Sequence, residues 1–127
     1  MTRRAVSTAG APAAIGPYSQ GIVVDALLFA AGQSGLDPAI GVLVEGGVGP
    51  ETEQVMANLT AVLEAAGCSW PDVVKATVFL VDMADFATMN AIYGRFVGDP
   101  PPARSTVAVA GLPKGARVEI EVIARVG

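Results

Sequence analysis

The run Val73-Val74-Lys75-Ala76-Thr77-Val78-Phe79-Leu80-Val81 constrains the fold more than any other stretch. Apart from Lys75, every residue in it is apolar or β-branched, which suits a pleated and packed surface. Continuity of this kind, without polar alternation, predicts a central strand covered on both faces. Helices can supply one cover. The rest of the chain has nothing left for the other, so a second subunit is the expected partner of that face.

Two helices flank the run. The first is expected from about Pro50 to Ala66, where Val55, Met56, Leu59, Val62, Leu63 and Ala66 recur at helical spacing. Pro50 suits the first helical position, Glu51 and Glu53 suit the positive end of the dipole, and Gly67 suits the stop. The preceding Gly46-Gly47-Val48-Gly49 resembles a phosphate loop only superficially. No lysine follows it, and the two glutamates would repel a phosphate. Ser69 to Asp72 reads as a capped single turn. The second helix is expected from Met83 or Ala84 to Phe96 or Val97, with Phe86, Met89, Tyr93, Phe96 and Val97 as its apolar stripe. Asn90 lies inside that stripe, four residues after Phe86 and three before Tyr93, and an amide on a buried face needs partners.

Further strands are expected near Arg4 to Ser7, at Gly21 to Val24 and at Leu27 to Gln33, the last two joined tightly at Asp25-Ala26. Gly32 marks either a bulge or a place where bare backbone lets a ligand or another chain approach closely. A turn on Asp37-Pro38 and Gly41 leads to a short edge strand at Val42 to Val44. After Pro101-Pro102 the chain enters a strand from Ser105, and the last strand spans Arg117 to Arg125. There Val118, Ile120, Val122 and Ala124 face one way, while Glu119, Glu121 and Ile123 face the other. These two strands are expected to pair as a hairpin. With Ala110 opposite Gly115, Arg104 lies opposite Glu121 and Thr106 opposite Glu119, and a one-residue slip gives the other set of neighbours. The order of elements predicts one α+β domain over residues 1–127, with both helices on one face of a mixed sheet.

Composition narrows the chemistry. Of 127 residues, 52% are hydrophobic and 16% charged, a thin supply of charge for a small monomer. The net charge of -4 and the lack of a basic run argue against nucleic-acid binding. With no histidine and one cysteine, a His-based acid, a Ser-His pair and a zinc site are set aside, and no metal or cofactor is expected. Cys68, after the helix-ending glycine, reads as a structural thiol. A lone cysteine makes a reducing, cytoplasmic setting the expectation. Arg3-Arg4 is not followed by the apolar run of an export signal, and the most apolar stretch, Ile22 to Ala31, carries Asp25 and is too short to span a bilayer.

Arg104 stands at the mouth of its strand with no charged neighbour in sequence. Its guanidinium is a permanent cation with a rigid fork of donors suited to a carboxylate or phosphate. An exposed strand-end arginine is the ordinary alternative. Several stretches together decide between them: Ala13-Ala14-Ile15-Gly16-Pro17-Tyr18-Ser19-Gln20, Gly32-Gln33, Asn58 to Gly67, Val74 to Phe79, Asp85-Phe86-Ala87-Thr88-Met89-Asn90, Pro102-Ala103-Arg104-Ser105, and Leu112-Pro113 through Glu119-Ile120-Glu121. In this order the chain resembles the RidA (YjgF) family of reactive-imine deaminases over almost its whole length.

The resemblance implies a chorismate-mutase-like fold with a mixed six-stranded sheet, assembled as a homotrimer with sites in the clefts between subunits. It implies hydrolysis of 2-imino acids, released as enamines by pyridoxal-phosphate enzymes, to 2-keto acids and ammonia. By the same resemblance Arg104 binds the substrate carboxylate, Tyr18 and Asn90 contact the substrate, Gly32 lines the site with its backbone, and Glu119 positions the attacking water. The chain departs from the best-known bacterial pattern at Ala31, where a serine precedes the glycine, and at Thr106, where a cysteine follows Arg-Ser. Both positions line the pocket in the family, and Thr106 retains a backbone amide and a hydroxyl to offer. The chemistry asks for no metal and no covalent nucleophile. Two rival readings remain: a trimer that senses keto acids or amino acids without turnover, and an endoribonuclease, which the acidic balance and absent histidine oppose.

Overall fold

The computed structural model describes residues 2–127. The chain runs β1 (Arg3–Val6), β2 (Gly21–Val24), β3 (Leu27–Ala30), β4 (Gln33–Ser34), β5 (Leu36–Asp37), β6 (Val42–Leu43), α1 (Val48–Ala65), β7 (Val73–Leu80), α2 (Phe86–Tyr93), β8 (Ala103–Ala108) and β9 (Val118–Arg125). Single 3-10 turns sit at Trp70–Asp72, Met83–Asp85 and Pro113–Gly115. The main sheet has the order β1-β2-β3-β9-β7-β8, with β4 also paired to β9, so it has seven strands rather than the expected six. The seventh arises because the strand expected over Leu27 to Gln33 is broken. β5 and β6 form a separate two-stranded ribbon around the turn at Asp37 to Gly41.

The expected hairpin of β8 with β9 does not form. β8 runs parallel to β7 at the sheet edge, and β9 lies antiparallel between β3 and β7. The connectivity explains this. α2 carries the chain from β7 back to its starting end, so the next strand in the same sheet must enter parallel to β7. β9, with its buried inward residues, takes the central place where both its edges are paired. Arg104 therefore lies beside Ala76, and Ala76 beside Val122, while Glu121 lines up with Thr77 and Ser105.

The core follows the expected periodicities. Val55, Met56, Leu59, Val62 and Leu63 of α1 pack with Ala76, Val78 and Leu80 of β7 and Val118, Ile120, Val122 and Ala124 of β9. Met89 and Tyr93 bring α2 onto the same side. α1 begins two residues before Pro50. Glu51 sits in its first turn, but its carboxylate also accepts the Arg117 backbone N–H at 2.8 Å, which ties the helix to the start of β9. Gly67, at φ 80°, ends α1, and the Cys68 N–H returns to the Leu63 carbonyl. In the turn at Ser69 the capping is done by the Asp72 carboxylate, which accepts from both the backbone N–H and the hydroxyl of Ser69. Cys68 is buried, and burial first, then the Asp72 charge, raise its thiol pKa, consistent with a structural residue.

α2 is shorter than expected at both ends. Asp82 accepts the Ala84 N–H and starts a 3-10 turn, and regular helix stops at Tyr93 before Gly94. The sheet face away from the helices carries Leu27, Phe29 and Val107, which are 38%, 42% and 42% exposed, together with the half-buried Ile22, Phe79 and Ile123. Among the described residues no helix is long and apolar enough to cross a membrane.

Candidate functional site

The β7–α2–β8 crossover lays α2 over the edge strand. Arg104 shares the sheet row of the buried Ala76 and Val122, so its side chain emerges on the helix side, under α2. Its Nη1 donates to Asn90 Oδ1 at 2.8 Å. The guanidinium carbon lies 4.8 Å from the centre of the Tyr93 ring and 5.5 Å from that of Phe86. Among the described residues no carboxylate lies within ion-pair distance of Arg104. Asn90 is exposed rather than on a buried face, and its partner is this arginine. A shallow depression opens here, bordered by Asn90, Tyr93, Pro101, Pro102 and Arg104. Thr106 lies on the same face, two residues along. Its hydroxyl is buried, makes no hydrogen bond, and does not reach this group.

A second group forms at the break between β3 and β4. Phe29 pairs with Ile123 and Gln33 with Ile120, so four steps on one strand match three on the other. The extra residue is a bulge over residues 30–32. The bulge reading of Gly32 holds, and the group that approaches its bare backbone within the chain is the Glu119 side chain. A Cβ at position 32 would lie 2.3 Å from Glu119 Oε2. Burial first, then the Glu121 charge, raise the Glu119 carboxyl pKa. Tyr18 and Gly32 line one depression of about 240 Å³, with Leu36, Ile40 and Lys114 among its other walls. Lys114 holds a left-handed backbone, φ 61°, and its ammonium donates to the Gly41 carbonyl at 3.3 Å.

Two buried amides hold this second group in place. Gln20 Oε1 accepts the Thr8 N–H, and its Nε2 donates to the carbonyls of Thr8, Ala11 and Pro12, which shapes the loop carrying Tyr18. Asn58 on α1 donates to the carbonyls of Ser34 and Leu36 and so pins the strand after Gly32.

The two groups do not meet within one chain. Arg104 and Asn90 belong to the helix side of the sheet. Glu119 shares the row of Phe79 and Val107, on the opposite face, with Gly32 beside it. Among the described residues no cluster of three or more His, Cys, Asp or Glu side chains comes together to hold a metal. From periodicity alone Phe86 and Tyr93 belong to the core stripe, and Lys114 to an ordinary turn. The structure sets the two rings beside Arg104 and Lys114 beside Tyr18 and Gly32. The signal for the aromatics was there, since positions 86, 90 and 93 share one helical face.

The comparisons with known proteins agree with each other. The family model for endoribonuclease L-PSP matches residues 8–126. A 2-iminobutanoate/2-iminopropanoate deaminase of Bos taurus is 52% identical over 124 residues, covering 98% of this chain and 90% of the bovine protein. The protein of the same name from Homo sapiens is 50% identical over the same length and shares. The crystal structure of RidA from an Antarctic Psychrobacter superposes with a TM-score of 0.93 at 45% identity, covering 97% of this chain and 99% of that one. That of Escherichia coli TdcF with bound serine gives 0.92 at 38% identity, covering 98% and 99%.

Proposed function

The chain belongs to the endoribonuclease L-PSP family, and we propose that within it this protein hydrolyses reactive 2-imino acids to 2-keto acids and ammonia. The deaminase names of relatives half identical over nearly the whole chain support the reaction class. The observation that carries the site is Arg104: a permanent cation at a depression, held by an amide oxygen and two rings, with no acid among the described residues to neutralise it. Such a guanidinium is free to grip a substrate carboxylate through two parallel hydrogen bonds.

The working unit is a homotrimer of chorismate-mutase-like subunits. Arg104, Asn90 and the Thr106 backbone of one copy face Tyr18, Gly32 and Glu119 of the next. Two observations support this. The proposed residues divide between opposite faces of one protomer's sheet, and the face bearing Glu119 carries Leu27, Phe29 and Val107 partly open. No nucleic acid or membrane is a partner. A lone buried cysteine fits a cytoplasmic setting.

In the reaction, Arg104 holds the carboxylate so that the adjacent protonated imine carbon faces one water. The water oxygen bonds to that carbon while the C=N electron pair moves to nitrogen. Glu119 accepts the water's proton and passes it to nitrogen. The C–N bond then breaks, its electron pair leaving with the nitrogen, while Glu119 takes the hydroxyl proton and hands it to the departing ammonia. The hydroxyl oxygen so becomes the keto oxygen, and ammonia leaves as ammonium. Orientation of a reactive electrophile and a single water carries most of the rate. Arg104→Ala is expected to lower kcat/KM for 2-iminobutanoate, generated in situ by a dehydratase, by about a hundredfold or more while the assembly persists. Wild-type rates in that variant would refute the assignment. Keto-acid binding without any turnover by the wild type would favour a sensor.

A further inference from the structure

The aromatic faces beside Arg104 have a role the sequence reading left unassigned. We infer that Phe86 and Tyr93, together with Asn90, form a cradle on α2 that sets the plane of the Arg104 guanidinium, the two aromatics being positioning residues for the carboxylate clamp. The inference rests on the reading of Arg104 as the carboxylate ligand.

The geometry is specific. The three residues stand at one-turn intervals on a single face of α2, and all three touch the same guanidinium. Asn90 fixes one edge of it through a single hydrogen bond. The guanidinium's central carbon lies over the Tyr93 ring at 4.8 Å and over the Phe86 ring at 5.5 Å, within reach of a cation–π attraction. An acid could also hold an arginine still, but it would occupy the donors and the charge that the substrate needs. A ring face attracts the cation without neutralising it and leaves its in-plane N–H groups available. The Tyr93 hydroxyl does not explain the choice of residue. It is buried and has no hydrogen-bond partner, and burial, only partly offset by Arg104, keeps the phenol protonated. The ring, not the oxygen, is what the guanidinium uses.

The test compares Tyr93→Leu, Tyr93→Phe and Phe86→Leu with the wild type. Tyr93→Leu is expected to lower kcat/KM about 5- to 30-fold, mostly through KM, because the carboxylate is held alike in ground and transition states. Tyr93→Phe restores most of that loss, and Phe86→Leu, farther from the cation, loses less than Tyr93→Leu. In protein labelled with 15N-arginine, the Arg104 Nε–H proton, identified by its disappearance in Arg104→Lys, is expected upfield from ring currents, to stay there in Tyr93→Phe, and to move toward the free-arginine value in Tyr93→Leu. An unshifted wild-type signal, unchanged kinetics in Tyr93→Leu, or a Tyr93→Phe variant as impaired as Tyr93→Leu overturns the cradle. If Tyr93→Leu does not fold, the Phe86→Leu kinetics and spectrum decide. A wild type without turnover but with the shifted signal refutes the deaminase reading and leaves the cradle standing.

Discussion

Glu119 carries a carboxyl whose pKa is raised by burial and by Glu121. Such a group binds its proton more tightly in the folded chain than in the unfolded one. It adds stability at acidic pH, and that contribution is lost as pH rises through the raised value. Glu119→Gln is therefore expected to melt higher than the wild type at pH 7, with the gap closing below the ordinary glutamate range, about 4.3. The same variant should lose imine hydrolysis, and in the wild type kcat/KM should fall on the acid side at a pH above that ordinary range. Melting curves and rates across pH 4 to 8 check both, and a variant less stable than wild type at pH 7 would contradict the burial argument. Gly32 makes the same point sterically. Its missing Cβ was legible as permission for close approach, but only folding identifies the approaching group as the Glu119 carboxylate.

At the level of elements, a few polar ties, some buried and one at the surface, align the pieces that carry the site. The fully buried Asn58 joins α1 to the strand after Gly32, and Glu51 and Arg117 join α1, β9 and the start of α2 through the Arg117 N–H and the Arg117–Asp85 ion pair. Asn58→Ala leaves two inward carbonyls without their donor and is expected to cost about 1–3 kcal/mol in urea unfolding. Asn58→Asp should cost more, because it points a negative charge at the same two oxygens. A neutral effect in both would show that the β4 tie is dispensable. The helices and most strands were legible from periodicity and stop signals. The pairing of β8 was not, since alternation tells which residues share a face and says nothing about which neighbour they lie beside.

At the scale of the whole molecule, the proposed site needs two copies of the chain, and this gives a test that no single variant provides. Trimers of Arg104→Ala alone and of Glu119→Gln alone should both be inactive. Co-expressed in equal amounts and mixed at random, they should recover about a quarter of wild-type activity, because one site in four joins an intact Arg104 to an intact Glu119. Sedimentation should show trimers throughout, and no recovery in mixed trimers would place both residues in one subunit's site. The thin charge of the sequence and the apolar run in β7 already suggested a covered second face. Leu27, Phe29 and Val107 lie partly exposed on the sheet face away from the helices, the face that the proposed assembly would cover.

What the chain's residues determined alone was local: where helices begin and stop, which strand positions point inward, and that an arginine without a charged neighbour in sequence follows a proline run into a strand. These depend on neighbours in sequence, through backbone sterics and side-chain period. Only the tertiary structure decided that β8 runs parallel to β7, that α2 therefore lies over Arg104, and that Glu119 faces the other way beside Gly32. Those outcomes depend on the crossover direction and on competition among strands for the centre of the sheet, and the free energy of that competition is shared by residues far apart in the chain.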